Sequence, residues 1–294
     1  MDATLLTVTV ILAGLFGLII GSFLNVVAYR VPAGISLLRE SRCPRCDAPV
    51  RPWQNVPGLS WLALRGRCAG CREPISWRYP TVELLTGVLF AAIAWFLPWV
   101  STGPATGSAA SGLVSPSVVD SVWTVSPAGM VVLAAFLWFA GSSVALTLID
   151  LDTKRLPDAI VLPGYGVGIG LLTLACLLGA DWWWLLRAGI GMAALFGLYA
   201  LLWFVRPGGM GAGDVKLAGV VGLYLGWLGW GPLAVGAIAA FLLGGGFGIV
   251  QVALGRAGRK TALAFGPWMV AGAWVGVMAG TALTQFYLQL SGLA

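Results

Sequence analysis

The chain of 294 residues is 59% hydrophobic and 10% charged, with a mean hydropathy of +0.91, which excludes a soluble globular domain of full size and indicates a polytopic helical membrane protein. It contains no histidine, so a Ser-His-Asp triad, a Cys-His nucleophile pair and a His-ligated catalytic zinc are all excluded. The net charge of +6 follows membrane topology and is not a nucleic-acid footprint.

Runs of about twenty apolar residues predict an all-α membrane protein, a bundle of about eight transmembrane helices near 4–28, 81–100, 130–150, 159–180, 187–206, 215–230, 233–254 and 263–285. The sixth gives the weakest signal. Nothing basic precedes the first span and Tyr29-Arg30 follows it, the reverse of a secretory signal, so 1–29 is expected to be a retained anchor. Residues 30–80 hold nine arginines and four of the five cysteines and predict a small cytosolic module. Residues 81–294 form the rest of the membrane core, with a flexible outer loop at about 101–128 that is rich in Ser, Gly, Ala, Thr and Pro.

Alternating eight spans with the amino terminus outside puts the arginines of 30–78, Lys154, Arg155, Arg206, Lys216, Arg256, Arg259 and Lys260 on one face. That is sixteen of the seventeen basic residues, with only Arg187 opposite. Basic residues near span ends stay in the cytosol, so this face is cytosolic and the bilayer's anionic headgroups are the expected counter-ions. Many spans carry glycines or inner prolines, such as Pro163-Gly164, Gly189 with Gly191, and Gly244-Gly245-Gly246. These fit either close helix packing or broken helices lining a cavity. No repeat relates the two halves of the chain.

Cys43-Pro44-Arg45-Cys46 and Cys68-Ala69-Gly70-Cys71 are two CxxC pairs separated by twenty-one residues, close to the spacing of a structural four-thiolate zinc site. A disulfide-tied loop and four unrelated thiols are the alternatives, and a reducing cytosol disfavours the disulfide. Cys176, deep in the fourth span, reads as a packing residue.

Carboxylates at the edge of hydrocarbon are costly and normally functional. Asp150 closes the third span, and Asp214 opens the sixth behind Gly211-Ala212-Gly213, whose glycines permit close backbone approach or positive φ. Asp152 and Asp158 are expected in the turn after Asp150, with Asp158 able to cap the fourth helix. Two carboxylates sharing one water cannot both ionise cheaply, so one keeps a proton while the other activates the water, as in aspartic peptidases. The rival reading is an ion-coupled transporter that uses the two aspartates as a relay.

Several motifs occur in order: Gly21-Ser22-Phe23-Leu24-Asn25-Val26 with Arg30 and Pro32; the CxxC pairs; Pro52-Trp53, Asn55, Pro57 and Tyr79-Pro80 with Glu83; Ile149-Asp150-Leu151-Asp152 with Leu156-Pro157-Asp158; Gly211-Ala212-Gly213-Asp214 with Lys216; and Phe265-Gly266-Pro267. In this combination the chain resembles the type IV prepilin leader peptidases, a family of aspartic membrane peptidases. The resemblance implies that Asp150 and Asp214 are the catalytic pair, supported by Gly211, Gly213, Lys216, Asp152 and Asp158. It implies a hydrolase of the bacterial inner membrane that removes the basic leader from prepilins or pseudopilins of type IV pili and protein secretion, at the cytosolic face. It also implies N-methylation of the new amino terminus with S-adenosylmethionine, an activity associated with the cysteine-bearing loop, and broken inner spans. The chain departs from the family at Gly208, where a glutamate is usual, and at Ala264, where a proline is usual.

Overall fold

A computed structural model describes residues 3–101, 126–205, 210–255 and 264–292. Most of the expected outer loop, together with Arg206, Gly208, Arg256, Arg259 and Lys260, lies outside the described residues. The described residues form nine α-helices: α1 Ala3–Arg30, α2 Leu59–Ala63, α3 Arg78–Ser101, α4 Pro127–Thr153, α5 Asp158–Leu177, α6 Trp182–Val205, α7 Ala212–Leu228, α8 Trp230–Ala253 and α9 Gly266–Leu290. All except α2 and α7 are long and apolar enough to cross a bilayer, which makes seven candidate spans. The sixth expected span forms as α7, but its 17 residues run only about 26 Å. Thirteen of them are buried, so α7 is sheathed by protein along its length.

Two compact units divide the chain, one comprising 1–25 and 38–140, the other 26–37 and 141–294. In the first, α1 presents Gly14, Gly17 and Gly21 to α3. A methyl on Gly17 would lie 2.8 Å from Thr86 O, and one on Gly21 would lie 2.7 Å from Glu83 Cα. Small residues here let two backbones touch, which is how apolar helices gain packing energy in lipid.

The same unit carries the cysteine module, built as one knuckle repeated. Arg42 bridges Pro49 and Arg67 bridges Pro74, both antiparallel. The amide of Asp47 donates to Cys43 O, as that of Arg72 does to Cys68 O. Asp47 and Arg72 each take positive φ, 53° and 62°, to close the turn. The Arg45–Glu73 ion pair, at 3.3 Å, joins the two knuckles. Between them, Trp61 packs on Gly66 and tilts against Trp77 with ring centroids 4.1 Å apart.

In the second unit α7 is the central element. Gly191 of α6 meets Gly222 and Gly226 of α7 at backbone contact distance, and Gly168 of α5 meets Leu223 and Tyr224. Arg187, near the start of α6, donates to Gly226 O and Trp227 O at the end of α7, so these helices run antiparallel. This accounts for the single cation expected on the opposite face: it caps the carbonyls of a helix C-terminus. α8 and α9 pair through Gly236, Gly272, Gly276 and Gly280, with Pro232 against Gly280. The glycine-rich positions therefore divide. Gly191 and Gly244 meet neighbours, whereas Gly189, Gly245 and Gly246 face open space. The broken inner spans implied by resemblance are not seen among the described residues, since α5 continues through Pro163.

Candidate active site

Asp150 falls in the last turn of α4 and is 4% exposed. Its Oδ2 accepts a hydrogen bond from Gly266 N, 3.1 Å away at the start of α9. Asp214 lies in the first turn of α7, is 9% exposed, and accepts the amide of Gly211 on Oδ2 at 3.0 Å. In return the Asp214 amide donates to Gly211 O. A carboxylate at this position satisfies an orphan N–H and meets the positive end of the helix. Among the described residues, Oδ1 of each aspartate makes no hydrogen bond and remains available to a ligand.

Leu156 connects the two neighbourhoods. A methyl on Gly213 would lie 2.9 Å from Leu156 Cβ, and one on Gly266 would lie 3.4 Å from Leu156 Cδ2 and 2.7 Å from Asp150 Oδ2. The aspartates are within electrostatic range of each other. The glycines before Asp214 work by close approach and not by positive φ: Gly211 is extended at φ −80° and Gly213 is helical.

Asp158 and Lys216 form a two-pronged ion pair, with Nζ 2.8 Å from both carboxylate oxygens, that ties the start of α5 to α7. Pro157 occupies the capping position of α5, so Asp158 sits inside the first turn and does not cap it. Tyr165 of α5 reinforces this link by donating to Lys216 O. Asp152 is exposed and belongs to α4, which continues through Thr153 instead of turning after Asp150.

Tyr199, Leu156 and Gly266 join this neighbourhood without a role expected from the sequence. Tyr199 is 1% exposed, stacks on Phe241 at 5.3 Å and lies within electrostatic range of Asp214. A tyrosine inside an apolar run gives no signal in one sequence. The amide of Gly266 is brought to Asp150 across 116 positions, which is a tertiary effect.

The four module cysteines converge, with all sulfurs within 4.8 Å of one another and Cys43 Sγ 3.8 Å from Cys71 Sγ. Zinc bound by four thiolates at about 2.3 Å spaces them about 3.8 Å apart, so the cluster fits a metal ion. All five cysteines are free, and Cys176 is buried. Amides of Cys46 and Arg45 lower the Cys43 thiol to about 6. At Cys71 the Glu73 amide is outweighed by burial and the neighbouring sulfurs, which raise that thiol to about 11, so the four thiols titrate as one group.

Seven candidate spans and two buried aspartates within electrostatic range of each other mark a multi-pass membrane protein with paired acids at helix ends. Residues 15–97 match the bacterial peptidase A24 N-terminal domain, and residues 134–249 match the type IV leader peptidase family. The chain belongs to the type IV leader peptidase family. Three proteins named prepilin leader peptidase/N-methyltransferase are similar to it. That of Stutzerimonas stutzeri is 32% identical over 97% of this chain and 95% of its own length. That of Aeromonas hydrophila is 35% identical over 93% and 92%. That of Neisseria gonorrhoeae is 33% identical over 90% and 88%. No solved structure matches. The ion-relay transporter reading is left without support.

Proposed function

We infer that this chain is a prepilin leader peptidase and N-methyltransferase that cuts the basic leader from prepilins or pseudopilins and methylates the new amino terminus. The observation that carries the peptidase reading is the pair Asp150 and Asp214, each buried, each with one oxygen held by a backbone amide and the other open. One carboxylate takes a proton from water as the water attacks the scissile carbonyl. The other, protonated, supports the developing oxyanion, and a proton passes to the departing amine as the C–N bond breaks. Gly211 and Gly213 shape the approach to Asp214. Asp158 with Lys216 steadies it, and Asp152 lines the solvent side. The concentration of basic residues on the same face orients the site toward the cytosol of a bacterial inner membrane.

We assign three parts: the anchor 1–29, the cysteine module 30–80 and the peptidase core 81–294. Zinc held by Cys43, Cys46, Cys68 and Cys71 supplies a structural cross-link to a segment too small for its own apolar core. S-adenosylmethionine would supply the methyl group. The N-terminal unit suits a cationic sulfonium through Glu83, which is 8% exposed and accepts the Gly58 amide on Oε2 at 2.7 Å. Asn25 lies nearby on α1, donating to Gly21 O and Tyr79 O.

Mass spectrometry of a prepilin incubated with the protein, with and without S-adenosylmethionine, tests both activities together. The expected products are a leader cut in both samples and one added methyl only with the donor; an intact prepilin in both rejects the reading. Metal analysis is expected to find about one zinc per chain. The quadruple Cys43→Ser, Cys46→Ser, Cys68→Ser, Cys71→Ser variant loses the metal and melts at lower temperature. A metal-free protein whose stability is unchanged in that variant rejects the zinc site.

A further inference from the structure

Several threonine hydroxyls in this protein fold back onto the backbone one helical turn earlier. Thr9, Thr81, Thr86, Thr153 and Thr284 each donate to the carbonyl four residues earlier, at 2.7 to 2.8 Å. That acceptor is within reach at every interior helical position. Ser143 and Thr147 of α4 depart from these: Ser143 Oγ and Thr147 Oγ1 are buried and have no hydrogen-bond partner among the described residues. Ser143 is only 1% exposed. A buried hydroxyl that forgoes an available bond is oriented toward something else.

Their position indicates what that is. Ser143, Thr147 and Asp150 follow the i, i+4, i+7 spacing that lines one face of a helix. Asp150 is in the last turn of α4, so the two hydroxyls run from it back into the apolar body of the span. Along the axis Thr147 is about 4.5 Å and Ser143 about 10.5 Å from Asp150.

A peptide leading from a polar leader into a hydrophobic segment must be extended at the bond that is cut. The residues just beyond that bond then lose their helical hydrogen bonds in a medium that offers no water. A hydroxyl can both donate to a carbonyl and accept from an amide. Extended chain advances about 3.3 Å per residue, so Thr147 meets backbone one to two residues past the cut and Ser143 about three residues past it.

We propose that Ser143 and Thr147 form a subsite that hydrogen-bonds the unwound backbone of the substrate, one to three residues after the scissile bond. This rests on Asp150 being a peptidase carboxylate. The site recognises peptide backbone and not a particular side chain.

The test uses the full-length protein and a prepilin retaining its hydrophobic segment. Ser143→Ala and Thr147→Val are each expected to lower kcat/KM roughly tenfold. The melting temperature is expected to hold or rise, because no internal bond is lost. Thr147→Ser recovers most of the rate lost in Thr147→Val. Wild-type rates in the double variant overturn the subsite, and so does a rate loss matched by a fall in melting temperature. A semisynthetic prepilin with an ester replacing the amide at the third residue after the cut provides an arm independent of variant folding. It is expected to slow the wild-type enzyme, and an unchanged rate overturns the proposal. Asp150→Asn, run in parallel, separates the two failures: cleavage by that variant rejects the peptidase assignment itself, whereas its inactivity beside a fully active double variant rejects the subsite alone.

Discussion

Asp150→Asn and Asp214→Asn are each expected to abolish leader cleavage, lowering the rate roughly 10³-fold or more, with the protein still folded. Asparagine keeps an oxygen that can accept the Gly266 or Gly211 amide, so the hydrogen bonds that position each side chain survive. It cannot exchange a proton, so neither water activation nor proton delivery to the leaving amine remains. Replacing a buried acid with a neutral isostere also relieves desolvation of charge, so thermal stability is expected to hold. The products are read by mass spectrometry on a prepilin. Methylation of an already cleaved pilin is expected to continue, because the groups assigned to it lie in the other unit. Residual cleavage near the wild-type rate in either variant rejects the dyad.

Gly266→Ala is expected to lower cleavage about 100-fold while leaving the fold intact, since a displacement of about 1 Å at a reacting group has an effect of this order. The added methyl would lie 2.7 Å from Asp150 Oδ2. Atoms do not approach so closely, so either the carboxylate turns away from the Gly266 amide or the start of α9 shifts. Both outcomes move the oxygen that must face the substrate. Gly245→Ala is the matched control, because a methyl there meets nothing within 4 Å. It should cleave and melt as wild type. Equal rates in the two variants would remove the positioning role of Gly266.

Much of the site is legible in the chain because its chemistry is local. Asp214 and its amide donor Gly211 are three residues apart, and a carboxylate at the start of a helix reads directly from Gly-Ala-Gly-Asp. The thiol pairs are legible for the same reason: each knuckle closes within eight residues, from Arg42 to Pro49 and from Arg67 to Pro74. The capping expected of Asp158 fails for the opposite reason. Its ion-pair partner Lys216 is 58 positions away, so the pairing is invisible to a reading of neighbouring residues. The extension of α4 past Asp150 was missed because charged Asp152 looks like an exit from the membrane, while the backbone simply continues its helix through Thr153.

What the sequence determined by itself is the membrane class, the pairing of four thiols that the fold then clusters, and the two acids at helix ends that the fold buries. Each of these is set by composition, by spacing within a turn or two, or by the high penalty on charge in hydrocarbon. Only the tertiary structure decided that α7 is a buried helix shorter than the spans around it, that Arg187 caps it, and that Gly266 and Leu156 bring the neighbourhoods of Asp150 and Asp214 together. Those outcomes depend on which glycines meet a neighbour and which face open space. One glycine in an apolar run looks like another until the helices are packed.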